Sequence, residues 1–393
     1  MQREKYIKGL LENNYFTYYD KVIDMKIIHF IRKWYKWPLD YLSQKSRTQI
    51  NLILMLLLGS FVLQSCGKTD EWKGSPTKEK DYIVITNEGK GLFEGKRHEK
   101  LKILKTIGAA AGEESDIFGY ITWVDFDTAG NIYVLDKIDQ VVTKLSPQGQ
   151  VLLQFGGKGN GPGELAGCNM FTWAEGRLYF ANAENGRIEV FDEQGGNLPA
   201  IKLSEVTRPE KIHFRKGCFY VGKHSISSEQ FTLYKYDRNW NLIAALLKPS
   251  EINRPYDILR NINYTRIGDD AIWIVYFVDN KIRKIDLDGN LIFETSRKLN
   301  WDLPRESNGK IIPEYPIHRV CDVDPDGNLY VIYSNPENWK RANDVYKYGA
   351  DGRLHGKAFT LPVDHATMVR FDREGNFYFS DGPTLFIAKI QVE

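Results

Sequence analysis

The chain has 393 residues, with 53 basic and 51 acidic side chains and a formal net charge of +2. Nucleic-acid binders normally carry a basic surplus, so this near-balance argues against a nucleic-acid partner. Hydrophobic residues make up 42% and charged residues 26%, which suits a chain with a sizeable core. The 22 Tyr, 20 Phe and 9 Trp favour β-sheet.

Residues 1–66 have the pattern of an export signal. Lys45 and Arg47 precede an uncharged apolar run that ends near Leu63. The run is shorter than the ~20 residues that a membrane-spanning helix needs. Residues 1–24 mix both charge signs, whereas the segment that begins at Met25 is basic, so we expect translation to start at Met25.

The export signal ends in Leu63-Gln64-Ser65-Cys66, which resembles the lipobox of bacterial lipoproteins. The resemblance implies a lipid on Cys66, export, and anchoring to the outer membrane with a periplasmic or surface-facing domain. A membrane-anchoring helix, or an ordinary signal peptide with an incidental Cys, are the alternatives. Residues 67–80 are polar and predict a flexible linker, and residues 81–393 predict the folded domain.

A short phrase recurs six times in the predicted domain: a turn residue, then alternating apolar or aromatic residues. The copies are spaced by roughly 40–60 residues, close to the period of a four-stranded propeller blade. They begin at Gly130, Gly176, Gly217, Asp270, Gly327 and Gly375. Each is followed by a second alternating strand and a turn cluster, as at residues 144–149 and 284–289. The repeat predicts an all-β, six-bladed β-propeller with four antiparallel strands per blade.

The sixth unit reaches Ile390 near the last residue of the sequence without a fourth strand of its own. An alternating segment at residues 101–108 precedes the first unit and is predicted to complete the last blade, hiding an otherwise exposed sheet edge. Residues 82–85 are expected to add to the same region.

Residues 155–165, between the first two units, are similar to the inter-blade segment of NHL-repeat propellers. Together with the lipobox, residues 81–393 resemble the six-bladed propeller lipoproteins of Bacteroidota. The later units match more loosely, and the fourth has Asp270 in place of the turn Gly. This resemblance implies a fold and a location, and it implies no reaction.

Two motifs have competing interpretations. Residues 156–163 are glycine-rich like a phosphate loop, but Pro162 and Gly163 stand where Lys-Ser/Thr and a helix are needed, which favours a turn. Residues 322–328 mimic a calcium loop, but Tyr333 stands where an EF-hand has its bidentate Glu, which favours a hairpin turn. Cys168, Cys218 and Cys321 are interpreted as buried small hydrophobic residues.

Three histidines are candidate metal ligands, because His318 and His365 open predicted innermost strands and His213 lies similarly. Peptidyl-hydroxyglycine lyases, which are also NHL propellers, place zinc-binding His at such strand starts. The resemblance implies Zn²⁺ at the channel mouth, and Ca²⁺, suggested by the loop at residues 322–328, is the other candidate divalent metal. Hydrogen bonding of each His to backbone is the alternative, and the chain lacks the disulfides of those lyases.

Trp240, Trp301 and Trp339 fall in predicted turns or long connections and are candidates for stacking on a ligand. Trp123, Trp173 and Trp273 fall in predicted strands and are assigned to the core. We expect a monomeric, non-enzymatic lipoprotein that binds a glycan, a peptide or an envelope protein through the channel or one face. The alternative is a metal-dependent lyase or hydrolase with His ligands at the channel mouth.

Overall fold

The computed structural model describes residues 72–79, 81–93, 99–108, 117–224, 230–253, 255–299, 305–307, 310–312, 317–334 and 343–392. Residues 1–71 lie outside the described residues. They include the predicted signal, the lipobox and the start of the predicted linker. Within the described part, no helix is long and apolar enough to cross a membrane.

The first three blades are consecutive four-stranded antiparallel sheets. Blade 1 contains β4 (Ile121–Phe126), β5 (Ile132–Asp136), β6 (Val141–Leu145) and β7 (Val151–Gly156). Blade 2 contains β8 (Phe171–Ala174), β9 (Arg177–Asn182), β10 (Arg187–Asp192) and β11 (Asn197–Ile201). Blade 3 contains β12 (Lys211–Arg215), β13 (Cys218–Gly222), β14 (Leu233–Tyr236) and β15 (Leu242–Leu247).

Blades 4 and 5 follow longer connections. Helix α1 (Pro255–Asn261) precedes blade 4, which contains β16 (Asn263–Ile267), β17 (Ala271–Tyr276), β18 (Ile282–Asp286) and β19 (Leu291–Arg297). A small hairpin of β20 (Arg305–Ser307) and β21 (Lys310–Ile312) follows. Blade 5 contains β22 (His318–Val323), β23 (Leu329–Tyr333), β24 (Asp344–Tyr348) and β25 (Leu354–Thr360).

Blade 6 combines strands from both ends of the domain. Its inner strands are β26 (Met368–Phe371), β27 (Asn376–Asp381) and β28 (Thr384–Val392), and its outermost strand is β3 (Glu99–Gly108). Strand β3 pairs antiparallel with β28 from Glu99 opposite Val392 to Gly108 opposite Thr384. The predicted closure of the last blade by residues 101–108 is confirmed.

Hydrophobic packing closes the ring. The described residues form six buried clusters, and each joins two neighbouring blades, including blade 6 to blade 1 through Ile107, Ile121, Val124 and Leu385. Because the alternating side chains of each strand face the two adjacent blades, every blade is buried on both faces. The fold is a six-bladed β-propeller.

A repeated lysine explains part of the sequence repeat. In four blades the Lys of the third strand lies over an aromatic ring of the second strand and donates a hydrogen bond to the next blade or to β3. The pairs are Lys144 with Tyr133, Lys235 with Tyr220, Lys284 with Trp273 and Lys347 with Tyr330. This cation–π contact and the inter-blade bond lock neighbouring blades in register.

The expectation that residues 82–85 join the last blade is wrong. They lie in β2 (Tyr82–Asn87), which pairs in parallel with β19 of blade 4. Strand β1 (Gly74–Glu79), inside the predicted linker, pairs antiparallel with β2 and makes this sheet six-stranded.

Buried Asn87 holds β2 in this position. Its amide donates to the hydroxyl of Thr295 at 2.8 Å and accepts the backbone N–H of Leu354 at 2.7 Å. It also accepts the indole N–H of Trp72 at 2.9 Å. Asn87 therefore fastens the N-terminal segment between blades 4 and 5.

Candidate ligand site in the central channel

A broad concavity among the described residues lies where innermost strands of the ring end. Its volume is about 1280 Å³. The wall is formed by the turns that follow β4, β12, β16, β22 and β26, together with the ring of Trp173. We call this concavity the axial depression.

A charged network forms the floor of the axial depression. The guanidinium of Arg370 donates to the carboxylates of Asp125 at 3.1 Å and Asp322 at 3.3 Å. The second oxygen of Asp322 accepts the backbone N–H of Phe371 at 2.7 Å, and that of Asp125 accepts the N–H of Trp173 at 2.8 Å. Burial lowers the pKa of Arg370, but the two carboxylates outweigh this effect and raise it.

A second arginine lies deeper in the channel. Arg266 donates to the backbone carbonyl of Cys321 at 2.7 Å and that of Thr265 at 2.8 Å, and its Nε lies 3.5 Å from Asp322. Its guanidinium carbon is 4.7 Å from the centroid of the Trp123 ring, and that of Arg370 is 5.0 Å from the same ring.

The indole of Trp123 crosses the axis. Trp123 belongs to blade 1, yet its ring contacts Arg266 of blade 4, Arg370 of blade 6 and His213 of blade 3. Side chains of several blades therefore meet at one ring, which is 3% exposed.

Three N–H groups of this cluster have no hydrogen-bond partner among the described residues: Nε1 of Trp123, Nε of Arg370 and Nε of Arg215. Arg215 follows His213 on β12, and its nearest carboxylate is Asp269 at 4.0 Å. Unpartnered buried donors are rare in folded proteins because each costs desolvation energy.

Three carboxylates at the rim accept hydrogen bonds within their own turns. Asp127, Asp324 and Asp372 each accept the backbone N–H of the Asn four residues later, at 2.8 Å. The segment 322–328 is therefore a capped hairpin turn between β22 and β23, which agrees with the turn interpretation. Burial raises the pKa of Asp324.

The three candidate metal ligands take separate partners. The Nε2 atom of His213 lies 3.0 Å from the carbonyl of Thr265. The Nδ1 atom of His318 lies 2.5 Å from the carbonyl of Tyr276, and the ring of His365 bonds Arg319. Among the described residues no group of three His, Cys, Asp or Glu is arranged to hold a metal ion. The predicted convergence of His213, His318 and His365 therefore does not occur in the described part of the chain.

The physical reason is that strand position does not fix side-chain direction. His318 opens β22 as predicted, but its ring points between blades, against Tyr333, with centroids 4.6 Å apart. Burial lowers the pKa of His318 to about 4. His213 has its pKa lowered well below the usual value by burial and by Arg266, Arg370 and Arg215.

Two of the three domain cysteines are inert by environment. Cys168 and Cys321 are fully buried, and burial raises the pKa of each thiol to about 12. A thiol reacts as the thiolate, so neither is a nucleophile at neutral pH. Cys218 is half-buried, and all three are free of disulfides.

Of the predicted stacking residues, Trp240 is half-buried and packs against the core between blades 2 and 3. Its ring stacks on Phe219 at 4.2 Å and contacts Tyr179 and Tyr236. Trp301 and Trp339 lie outside the described residues. Trp173, which we assigned to the core, is half-buried and lines the axial depression, where its indole donates to Glu193.

The glycine-rich segment 156–163 forms the loop between β7 and β8, and its backbone N–H groups donate hydrogen bonds to carboxylates of the protein. The carboxylate of Glu164 accepts the N–H of Gly161 at 2.7 Å, and Glu189 accepts that of Gly163 at 2.9 Å. Gly156 and Gly157 have positive φ, a conformation that glycine adopts without steric cost. The loop is a connector, as the sequence favours.

The channel network was not predicted from the sequence. Its signal is present, because Asp125, Arg266, Asp322 and Arg370 are charged residues among the apolar residues of innermost strands. Fully buried charges normally occur in pairs. Their partners are far apart in sequence, however, so the pairing emerges only when the ring closes.

No family model matches the sequence, and no curated protein matches it. Solved structures of similar shape include a streptogramin B lyase, with 12% identity, a TM-score of 0.46, and coverage of 83% of this chain and 95% of that chain. A gluconolactonase from Xanthomonas campestris has 12% identity, a TM-score of 0.49, and coverage of 81% and 98%. Virginiamycin B lyase from Staphylococcus aureus has 11% identity, a TM-score of 0.48, and coverage of 75% and 100%. Likenesses this distant carry no argument about activity or substrate.

Proposed function

We propose that the protein is a cell-envelope lipoprotein that binds a ligand in the axial depression. The observation that carries the proposal is the depression itself, about 1280 Å³, set above a floor of paired charges. Small-molecule sites are typically concavities of ~300–1,000 Å³. The space therefore suits a small molecule, or the end of a glycan or peptide.

The carboxylates on the floor of the depression already have hydrogen-bond partners, and this favours binding over catalysis. Asp125 and Asp322 are held by Arg370 and by backbone N–H groups. Nε2 of His213 and Nδ1 of His318 lie against backbone carbonyls, and neither ring lines the depression. A general base must reach its substrate with a free lone pair. The lyase or hydrolase alternative requires a metal centre that the described histidines do not form.

A blocking substitution tests the proposal. Gly268 lines the depression, and a Cβ there would meet its neighbours no closer than 3.6 Å, so Gly268→Trp adds a large side chain at the wall without a clash at Cβ. Purified full-length protein is screened on arrays of oligosaccharides and short peptides. We expect ligands that bind wild type to be lost with Gly268→Trp and retained by Asn239→Trp, an exposed turn position outside the depression. Equal binding by both variants would refute the depression as the site.

The location is part of the proposal and has its own test. Lipidation of Cys66 would place the anchor a few residues before Trp72, which is already fastened to Asn87. At ~3.5 Å per extended residue the propeller would stay close to the membrane. We expect Cys66→Ser to move the protein from the membrane to the soluble fraction, and an unchanged distribution would contradict lipidation.

A further inference from the structure

We propose that the channel cluster around Trp123 binds the carboxylate group of a small organic acid, or of a larger ligand seated in the axial depression. The donors are the indole N–H of Trp123 and the Nε–H groups of Arg215 and Arg370. This inference rests on the proposed function, because it names the ligand chemistry of the same site.

Charge is the first argument. Three guanidinium groups, those of Arg215, Arg266 and Arg370, share the cluster with two carboxylates, those of Asp125 and Asp322. Asp269, the acidic neighbour of Arg215, is 4.0 Å away and 89% exposed, so water screens it. Within this cluster one positive charge is left without a buried counter-ion, and a monoanion would neutralise it there. The match is local, because the depression above is lined by nine acidic and five basic side chains.

The pKa values of neighbouring side chains reflect this positive excess. Burial lowers the pKa of Arg215, and the charge of Arg370 lowers it further. After burial, the three arginines are the main reason why the pKa of His213 is depressed. At the edge of the cluster, burial lowers the pKa of Lys211, and the negative charge of the neighbouring Glu210 opposes this effect.

Hydrogen bonding is the second, independent argument. The Trp123 side chain is almost fully buried and that of Arg370 is nine-tenths buried, yet each carries an N–H group without an acceptor in the described structure. Indole and guanidinium groups only donate. The missing partner must therefore be an acceptor, and a carboxylate supplies two oxygens together with the missing charge.

The third argument is access. Arg215 and Arg370 both line the axial depression, whereas Trp123 lies beneath them. The side chain of Arg215 is one-third exposed, so it faces both the depression and the cluster. The three N–H groups themselves have almost no solvent-exposed area. A carboxylate that enters from the depression therefore reaches them only when the partly exposed side chain of Arg215 moves aside, with the remainder of its molecule left in the larger space.

The test uses acetate as the probe and Trp123→Phe as the central variant. This substitution keeps an aromatic ring between Arg266 and Arg370 and removes the N–H group together with part of the indole ring. Titration calorimetry of full-length protein is expected to detect acetate binding, without binding of acetamide or of chloride at equal ionic strength. Hydrogen bonds to charged groups contribute enough that Trp123→Phe and Arg215→Met should each weaken acetate binding about tenfold or more.

Arg353→Met is the matched control, because it removes an exposed arginine stacked on Trp72, away from the channel. It should bind acetate like wild type. Urea unfolding without acetate checks that the variants are folded. Absence of acetate binding, equal binding of chloride, or wild-type affinity in Trp123→Phe would overturn the inference, leaving ordered water as the acceptor.

The two proposals fail separately. If Gly268→Trp abolishes array binding but acetate does not bind, the depression is the site and the carboxylate inference is wrong. If acetate binds through Trp123 but Gly268→Trp leaves the binding of array ligands unchanged, the axial depression is not the site of those ligands.

Discussion

The carboxylate of Asp322 on blade 5 accepts the backbone N–H of Phe371 on blade 6 at 2.7 Å. Asp125 on blade 1 makes the equivalent bond to Trp173 on blade 2, at 2.8 Å. In each case a carboxylate ties one innermost strand to the next, and Arg370 joins the two carboxylates across the channel. The same atoms that hold the inner ring together thus form the floor of the candidate ligand site.

Removing the central arginine should be costly. Arg370→Met leaves two buried carboxylates without their shared partner, which we expect to lower the free energy of unfolding by about 3–5 kcal/mol. Arg238→Met, which breaks an exposed pair with Glu175, should cost less than about 1 kcal/mol. Urea unfolding measures both, and similar small losses would show that Arg370 is not a structural tie.

Strand β3 allows a matched test of ring closure. Ile107 is 5% exposed and packs in the cluster between blades 6 and 1, whereas Ile103 on the same strand is 38% exposed. We expect Ile107→Ala to lower the free energy of unfolding by about 2–4 kcal/mol and Ile103→Ala to lower it by less than half as much. Equal losses in urea unfolding would contradict docking of β3 against blade 1.

The fastening of the N-terminal segment depends on one amide. Asn87→Ala leaves the buried N–H of Leu354 and the indole N–H of Trp72 without acceptors. We expect a loss of about 1–3 kcal/mol per orphaned group and faster hydrogen exchange in β1 and β2. Glu88→Ala, at the exposed neighbouring position, is the control. Unchanged exchange in Asn87→Ala would mean that β2 is held by backbone pairing alone.

Acid should destabilise the protein through His318. Its pKa is about 4 in the folded chain and ~6.5 when unfolded. Between these values the unfolded state binds more protons, so stability falls as pH drops from about 6.5 to about 4 and is then flat for this group. We expect wild type to lose on the order of 3 kcal/mol more than His318→Gln across this window, measured by urea unfolding at several pH values. Parallel pH profiles would contradict this assignment.

Repeated local patterns made the fold predictable. A turn residue followed by alternating apolar residues specifies a strand wherever it occurs, and six copies at blade spacing require a ring. The strand at residues 99–108 could be assigned to blade 6 because that blade alone lacked a partner for β28. By contrast, residues 82–87 alternate like any outer strand. Their place on blade 4 depends on Asn87 meeting Thr295 and Leu354, which periodicity does not reveal.

The candidate site was less predictable because its chemistry comes from distant positions. Several innermost strands contribute charged side chains, such as Asp125, Asp322 and Arg370, whose partners lie on other blades. The histidines at strand starts suggested a metal centre, but His318 turns toward the carbonyl of Tyr276 and away from the axis. Spacing along a strand gives depth in the channel, and packing decides which way a side chain points.

Blade 6 takes its outermost strand from the beginning of the domain and its other three from the end. During synthesis on the ribosome, β3 emerges first and has no partner until β28 has been made. Throughout the translation of the five intervening blades, the nascent chain presents an unpaired strand and the uncovered apolar face of blade 1. A protein built in this way benefits from chaperone protection until the last blade is complete.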